Sequence, residues 1–160
     1  MTTATQRKPA AVRRKAVDHE GSEQRALMSW LRGESLRNSQ VGQAWPATYH
    51  VPNGGHRHKA TAAELKKQGV KSGVSDIVVA VARGGWHGLY IEFKATPPRH
   101  ASLQDSQREW LAAMESQGYC AVLARGLEEA RAVLREYMAL PSTEVTTPAE
   151  QLAAGTGWRR

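Results

Sequence analysis

The sequence predicts an α/β (α+β) fold, a small mixed β-sheet flanked by helices, and three observations carry that prediction. Amphipathic stretches with helical spacing, SEQRALMSWLRG and GLEEARAVLREYM, open and close the central part of the chain. Between them GVSDIVVAVARGGWHGLYIEFKA, residues 73–95, reads as two strands joined by a Gly-rich reversal. A strand, a helix and another strand then follow over LYIEFK, SLQDSQREWLAAMESQGY and CAVLA. That order makes a parallel right-handed crossover, and with the hairpin before it the sheet is mixed.

Taken in order, residues 1–18 mix Thr, Ala and Pro with five Lys and Arg and read as a flexible basic arm. The folded unit is expected over 19–140, and 141–160 as a flexible tail. In the first helix Ser22 is the predicted N-cap, Ala26, Leu27, Trp30 and Leu31 form the apolar stripe, and Gly33 is the predicted stop. ATYHV follows as a short strand, PNGG as a tight turn and ATAAELKKQG as a short helix. Ile77 to Ala82 is apolar throughout, as in a strand covered on both faces. LYIEFK alternates, with Leu89, Ile91 and Phe93 on one face and Tyr90, Glu92 and Lys94 on the other. The crossover helix has Ser102 as predicted N-cap, with Asp105 completing a capping box, and Leu103, Trp110, Leu111 and Met114 inward. Gln107 shares that inward face and needs a partner there. Cys120 to Ala124 is a strand, and the last helix turns Leu127, Ala130, Leu134 and Met138 inward.

Composition narrows the function classes. The 160 residues hold 41% hydrophobic side chains, enough for a single core. With 22 Lys and Arg against 15 Asp and Glu the formal charge is +7, which favours a polyanionic partner such as nucleic acid. The single Cys120 excludes an internal disulfide and a Cys-based structural zinc. No apolar run approaches the roughly 20 residues of a membrane span, and no apolar h-region follows the N-terminal charges. A cytoplasmic setting is expected.

The charges in the hairpin carry the chemistry. Pairing the two strands brings Asp76 toward Glu92, while Lys94 lies on the same side as Glu92, roughly 6 to 7 Å along the strand. Two carboxylates at the edge of an apolar sheet repel and are costly to desolvate unless a cation sits between them. Oxygen ligands of that kind select Mg²⁺ or Mn²⁺ over zinc. Such an ion polarises a phosphodiester and acidifies a bound water, and Lys94 is placed to orient that water or neutralise the phosphate. Read alone, Glu92 and Lys94 also fit an ordinary pair on a solvated strand, worth below about 1 kcal/mol. In the first helix Glu23 falls on the edge of the buried face, although an acid in a first turn also serves the helix dipole.

SEQRALMSWL, VPNGGHR, GVKSGVSD, GLYIEFK and SLQDSQREWLAAMESQGY, in that order, resemble the VRR-NUC family, virus-type replication and repair nucleases of the PD-(D/E)xK superfamily. The resemblance runs from about Glu23 to Arg125. It implies a restriction-endonuclease-like core, metal ligation by Asp76 and Glu92 with the Phe93 carbonyl, and Lys94 as catalytic lysine. It also implies Glu23 as the acid from the first helix, with Glu20 as runner-up, and Gln107 as an active-site polar residue. The family usually has Pro before the catalytic Asp, where this chain has Ser75. A looser turn is expected there.

The expected activity is a Mg²⁺-dependent DNA endonuclease, with Mn²⁺ as substitute. The resemblance implies a preference for branched or flapped DNA, similar to Holliday-junction resolvases, in phage-type replication, recombination or repair. A homodimer in a bacterial or phage-infected cell is the expected working form. The alternatives are a non-catalytic DNA-binding or assembly protein on the same fold, and a restriction-like or RNA nuclease. His56 and His58 lack the further ligand a zinc site needs. They are expected, with Arg57, Lys59, Lys66, Lys67 and Lys71, to line the path of a phosphate backbone, against the competing reading of solvated surface charges. Trp86 either stacks on a base or packs its own turn.

Overall fold

A computed structural model describes residues 17–52 and 59–144, with 59–62 described by backbone alone. Helix α1 spans His19–Leu36. It starts earlier than Ser22 because Asp18 is the N-cap and its carboxylate accepts the Gly21 N–H at 2.9 Å. It also runs through Gly33, which a long helix tolerates, and ends where Asn38 turns left-handed at φ 54°. Leu27 and Leu31 are buried, Trp30 is half-buried, and Ala26 faces solvent instead of the core. A 3₁₀ segment, Val41–Ala47, has no counterpart among the predicted elements and leads into strand β1, Thr48–His50. Helix α2 is Lys59–Lys67. Residues 53–55 of the PNGG turn lie outside the described residues.

Strand β2, Ile77–Val79, pairs antiparallel with both β1 and β3, Leu89–Lys94. It is shorter than the apolar run predicts, and Ala80 already faces solvent. Between β2 and β3, Arg83 and Trp86 exchange both backbone hydrogen bonds around Gly84 and Gly85. Both glycines have positive φ, 57° and 88°, the requirement of a two-residue primed turn. Helix α3, Asp105–Ser116, crosses to strand β4, Cys120–Arg125, which pairs parallel with β3, and α4 spans Leu127–Ala139. The mixed sheet thus has the order β1-β2-β3-β4. Pro141 to Thr143 then run beside the β2–β3 turn, with Pro141 accepting the Gly84 N–H at 2.8 Å.

The sheet is covered on both faces. Leu27 and Leu31 of α1 and Ala130, Leu134 and Met138 of α4 bury Ile77, Val79, Leu89, Ile91 and Phe93. Helix α3 covers the opposite face, where the Trp110 and Tyr90 rings meet edge to face with centroids 6.3 Å apart. Glu92 and Lys94 belong to that second face and are buried, at 0% and 6% exposure.

The loop before β2 is pressed against the start of α3. Gly73 has φ 79°, and a Cβ there would lie 2.2 Å from the Ser106 carbonyl oxygen. Gly73→Ala should therefore destabilise the fold by about 1–3 kcal/mol from the strained backbone alone. Thermal denaturation checks this, and an unchanged midpoint would contradict the close approach.

Candidate active site

The hairpin register decides the site. Ile77 pairs with Ile91, so the next residues outward, Asp76 and Glu92, face each other. Asp76 Oδ2 accepts the Phe93 backbone N–H at 3.0 Å. In an extended strand the N–H and C=O of one residue point to the same side. The Phe93 carbonyl therefore faces the Asp76 side, while the Lys94 carbonyl faces β4 and accepts the Gly126 N–H at 2.7 Å.

Lys94 Nζ lies 2.8 Å from Glu92 Oε1, with both side chains buried. The Gln107 amide also donates to Glu92 Oε1. This is the partner that an inward amide on α3 needs. Gln107 serves its own helix as well. Its Oε1 accepts the Gln104 N–H at 3.0 Å, so Gln104 and Gln107 form the capping box in place of Ser102 and Asp105. Two donors converge on one oxygen of Glu92, and Oε2 is buried without a hydrogen-bond partner. Burial pushes the Glu92 carboxyl up to about 7; the Lys94 contact lowers it, and the charges of Asp76 and Glu20 raise it.

A cleft of about 450 Å³ opens beside these residues, lined by Asp76, Lys94, Gln107, Lys71, Ser72 and Glu20 among others. Glu20 occupies the first turn of α1, and burial raises its carboxyl, opposed by Lys94 and reinforced by Asp76. The acid that α1 turns to the cleft is therefore Glu20. Glu23 is engaged elsewhere: its carboxylate accepts the Thr96 hydroxyl at 2.6 Å, the Thr96 N–H at 3.2 Å and the Leu127 N–H at 3.3 Å. It ties α1 to the loop after β3 and to the first turn of α4. Spacing alone puts both acids on the same helix edge, and only the packing of α1 along the sheet separates their roles.

Lys71 lines the cleft, and Lys66 and Lys67 stand exposed at the end of α2, with Lys67 3.6 Å from Glu64. The side chain of Lys59, and His56, Arg57 and His58 entirely, lie outside the described residues. Trp86 sits in the turn at the far end of the hairpin from Asp76 and Glu92, and its carbonyl accepts the Arg83 N–H and the Thr143 hydroxyl. Its side chain is exposed. Ser75 is fully buried and its hydroxyl has no hydrogen-bond partner. Two residues that sequence reasoning missed also reach the site: His50 of β1 meets the Asp76 backbone carbonyl, and Gln24 of α1 meets the His50 ring. For Gln24 the available signal was its place one helical turn after Glu20; for His50 there was none without knowing which strand borders β2.

The family model for the VRR-NUC domain matches residues 18–128. The chain belongs to the VRR-NUC family. A solved structure described as a VRR_NUC domain protein is similar to it at 27% identity and a TM-score of 0.65, over 81% of this chain and 95% of that one. Comparison with curated proteins gives no match. As a VRR-NUC domain the chain has a nuclease-type, DNA-processing function, and the carboxylate–lysine cluster lies within the matched span. Among the described residues no helix is long and apolar enough to cross a membrane.

Glu23 provides a test of its structural role. Burial raises its carboxyl, but the hydrogen bonds from Thr96 and Leu127 outweigh that, so its pKa lies below the ordinary value. A depressed folded pKa adds stability above the unfolded value, about 4.3, which is lost as pH falls through the folded value. The gap in thermal midpoint between the wild type and Glu23→Gln should therefore be larger at about pH 7 than at about pH 3. An equal gap at both would contradict this role.

Proposed function

We propose that this VRR-NUC domain is a Mg²⁺-dependent DNA endonuclease, with Mn²⁺ as substitute, that acts on branched, flapped or four-way-junction DNA. The observation that carries the metal reading is Glu92 Oε2, a fully buried carboxylate oxygen without a hydrogen-bond partner beside two further acids. Such an atom is costly in a protein interior, and a hard divalent cation offsets that cost. Among the described residues no three His, Cys, Asp or Glu side chains form a ready-made cage. Mg²⁺ fits this sparser set, because it keeps several waters and takes one or two carboxylates together with substrate phosphate.

Asp76, Glu92 and the Phe93 carbonyl would hold the cation, with Glu20 in place of Glu23 as the acid from α1. When bound, the cation supplies Lewis acidity to the phosphodiester and lowers the pKa of a water. Gln107 and Lys94 fix one oxygen of Glu92 and leave the other for ligation. Lys94, next to the cleft, neutralises the phosphate or orients the attacking water. Hydrolysis joins the water oxygen to phosphorus and breaks one phosphorus–sugar oxygen bond, leaving a phosphate monoester and a hydroxyl. Lys71, at the cleft, and the exposed Lys66 and Lys67 supply phosphate contacts.

The test is a cleavage panel of duplex, flap, four-way-junction and single-stranded DNA with Mg²⁺, Mn²⁺ or EDTA. Cleavage should require the metal and favour branched substrates, and Asp76→Ala and Lys94→Ala should each lose at least about 100-fold in rate. Activity retained by both variants would sink the site assignment. Metal-independent binding without cleavage would establish a non-catalytic DNA-binding protein on the same fold.

One domain carries one site and cuts one strand, so paired cuts on a symmetric junction require a C2 homodimer. Analytical ultracentrifugation should show a dimer. A monomer that only nicks would remove this part of the proposal.

A further inference from the structure

A metal-ligating Asp76 needs its backbone held still, and His50 is placed to hold it. His50 ends β1 opposite Ile77, one residue from Asp76 on the neighbouring strand. Its ring Nδ1 lies 2.8 Å from the Asp76 carbonyl oxygen. The same oxygen accepts the Val51 backbone N–H at 2.8 Å. A backbone carbonyl has two lone pairs and only accepts, so both are engaged and Nδ1 carries the ring proton. Gln24 Nε2 lies 2.7 Å from that nitrogen. A protonated Nδ1 cannot accept from an amide N–H, so the amide orientation that fits turns the Gln24 oxygen to the ring, where it shares the Nδ1 proton with the carbonyl. On the opposite side Asp76 is held through Oδ2 by the Phe93 N–H at 3.0 Å.

We propose that His50, backed by Gln24, is a positioning residue for phosphodiester hydrolysis: it locks the Asp76 peptide so that the carboxylate stays in register with Glu92. The proposal rests on Asp76 acting as a metal ligand. Gln24 follows Glu20 by one helical turn, so the helix that presents an acid to the cleft also braces the strand carrying the facing acid. The ring is exposed and contributes no core packing. A positioning role therefore separates from a folding role.

The experiment compares His50→Ala, His50→Asn and His50→Gln with the wild type and Asp76→Ala. Asn sets an amide N–H close to where Nδ1 stands, whereas Gln sets one near Nε2. Cleavage of branched DNA is followed against Mg²⁺ concentration, together with DNA affinity in EDTA and the thermal midpoint. His50→Ala should lower the rate or raise the Mg²⁺ requirement by about 10- to 100-fold, the usual effect of removing a residue that orients a metal ligand. Its affinity in EDTA and its midpoint should stay near wild type. His50→Asn should recover most of the loss and His50→Gln should not. Wild-type rate and Mg²⁺ dependence in His50→Ala, with Asp76→Ala inactive, would overturn this proposal and leave the proposed function standing. Full activity in Asp76→Ala would overturn both. If His50→Ala fails to fold, equal activity in the Asn and Gln variants overturns the positioning role and a clear advantage for Asn supports it.

Discussion

The structure depends on a carboxylate placed where an apolar side chain would ordinarily sit. Glu92 lies in the middle of the mixed sheet, covered by α3, with 0% of its surface exposed. A charge in that position is tolerated only with partners around it. Lys94 and Gln107 provide them on one oxygen, and the other oxygen remains without a hydrogen bond. Packing alone would favour a hydrophobic residue here. A buried, half-satisfied acid with a raised pKa beside a cleft is the arrangement expected where binding or chemistry sets the residue choice.

The surrounding elements serve that position. Helix α1 turns Glu20, Glu23, Gln24, Leu27 and Leu31 to one side, at the spacing that stacks residues along a helical face. Its apolar end anchors the helix in the core. Its polar end reaches the cleft, the loop after β3 and the end of β1 through successive side chains. Helix α3 acts from the opposite face, where Gln107 both caps the helix and holds Glu92. The close contact between Gly73 and Ser106 brings Lys71 and Ser72 to the mouth of the same cleft.

Much of this is legible in the residues. The alternation of LYIEFK and the double glycine of the turn mark the hairpin but not its register, because the turn pairs Arg83 with Trp86 while the strands pair Ile77 with Ile91, one residue out of step. The pairing of Ile77 with Ile91 then brings Asp76 to Glu92. Helix starts are less legible. Ser22 and Ser102 are good caps by type, yet Asp18 and the Gln104–Gln107 pair hold those positions, because several polar residues near a helix start compete and tertiary contacts choose among them.

The assignment of the helical acid shows the same division. Periodicity places Glu20 and Glu23 on one edge of α1, and their separation of three residues is less than one helical turn. Which of them reaches the cleft depends on how far α1 slides along the sheet, a quantity set by the packing of Leu27 and Leu31 and by the grip of Glu23 on Thr96. His50 is a stronger case, since its contact with Asp76 spans 26 residues of chain and exists only because β1 borders β2. The sequence by itself determined the mixed sheet, the hairpin and the placing of Glu92 and Lys94 on one face of its second strand, because strand alternation and turn chemistry are local. Only the tertiary structure decided which acid of α1 faces the cleft and which side chains brace Asp76, because those contacts join elements whose relative placement no local pattern encodes.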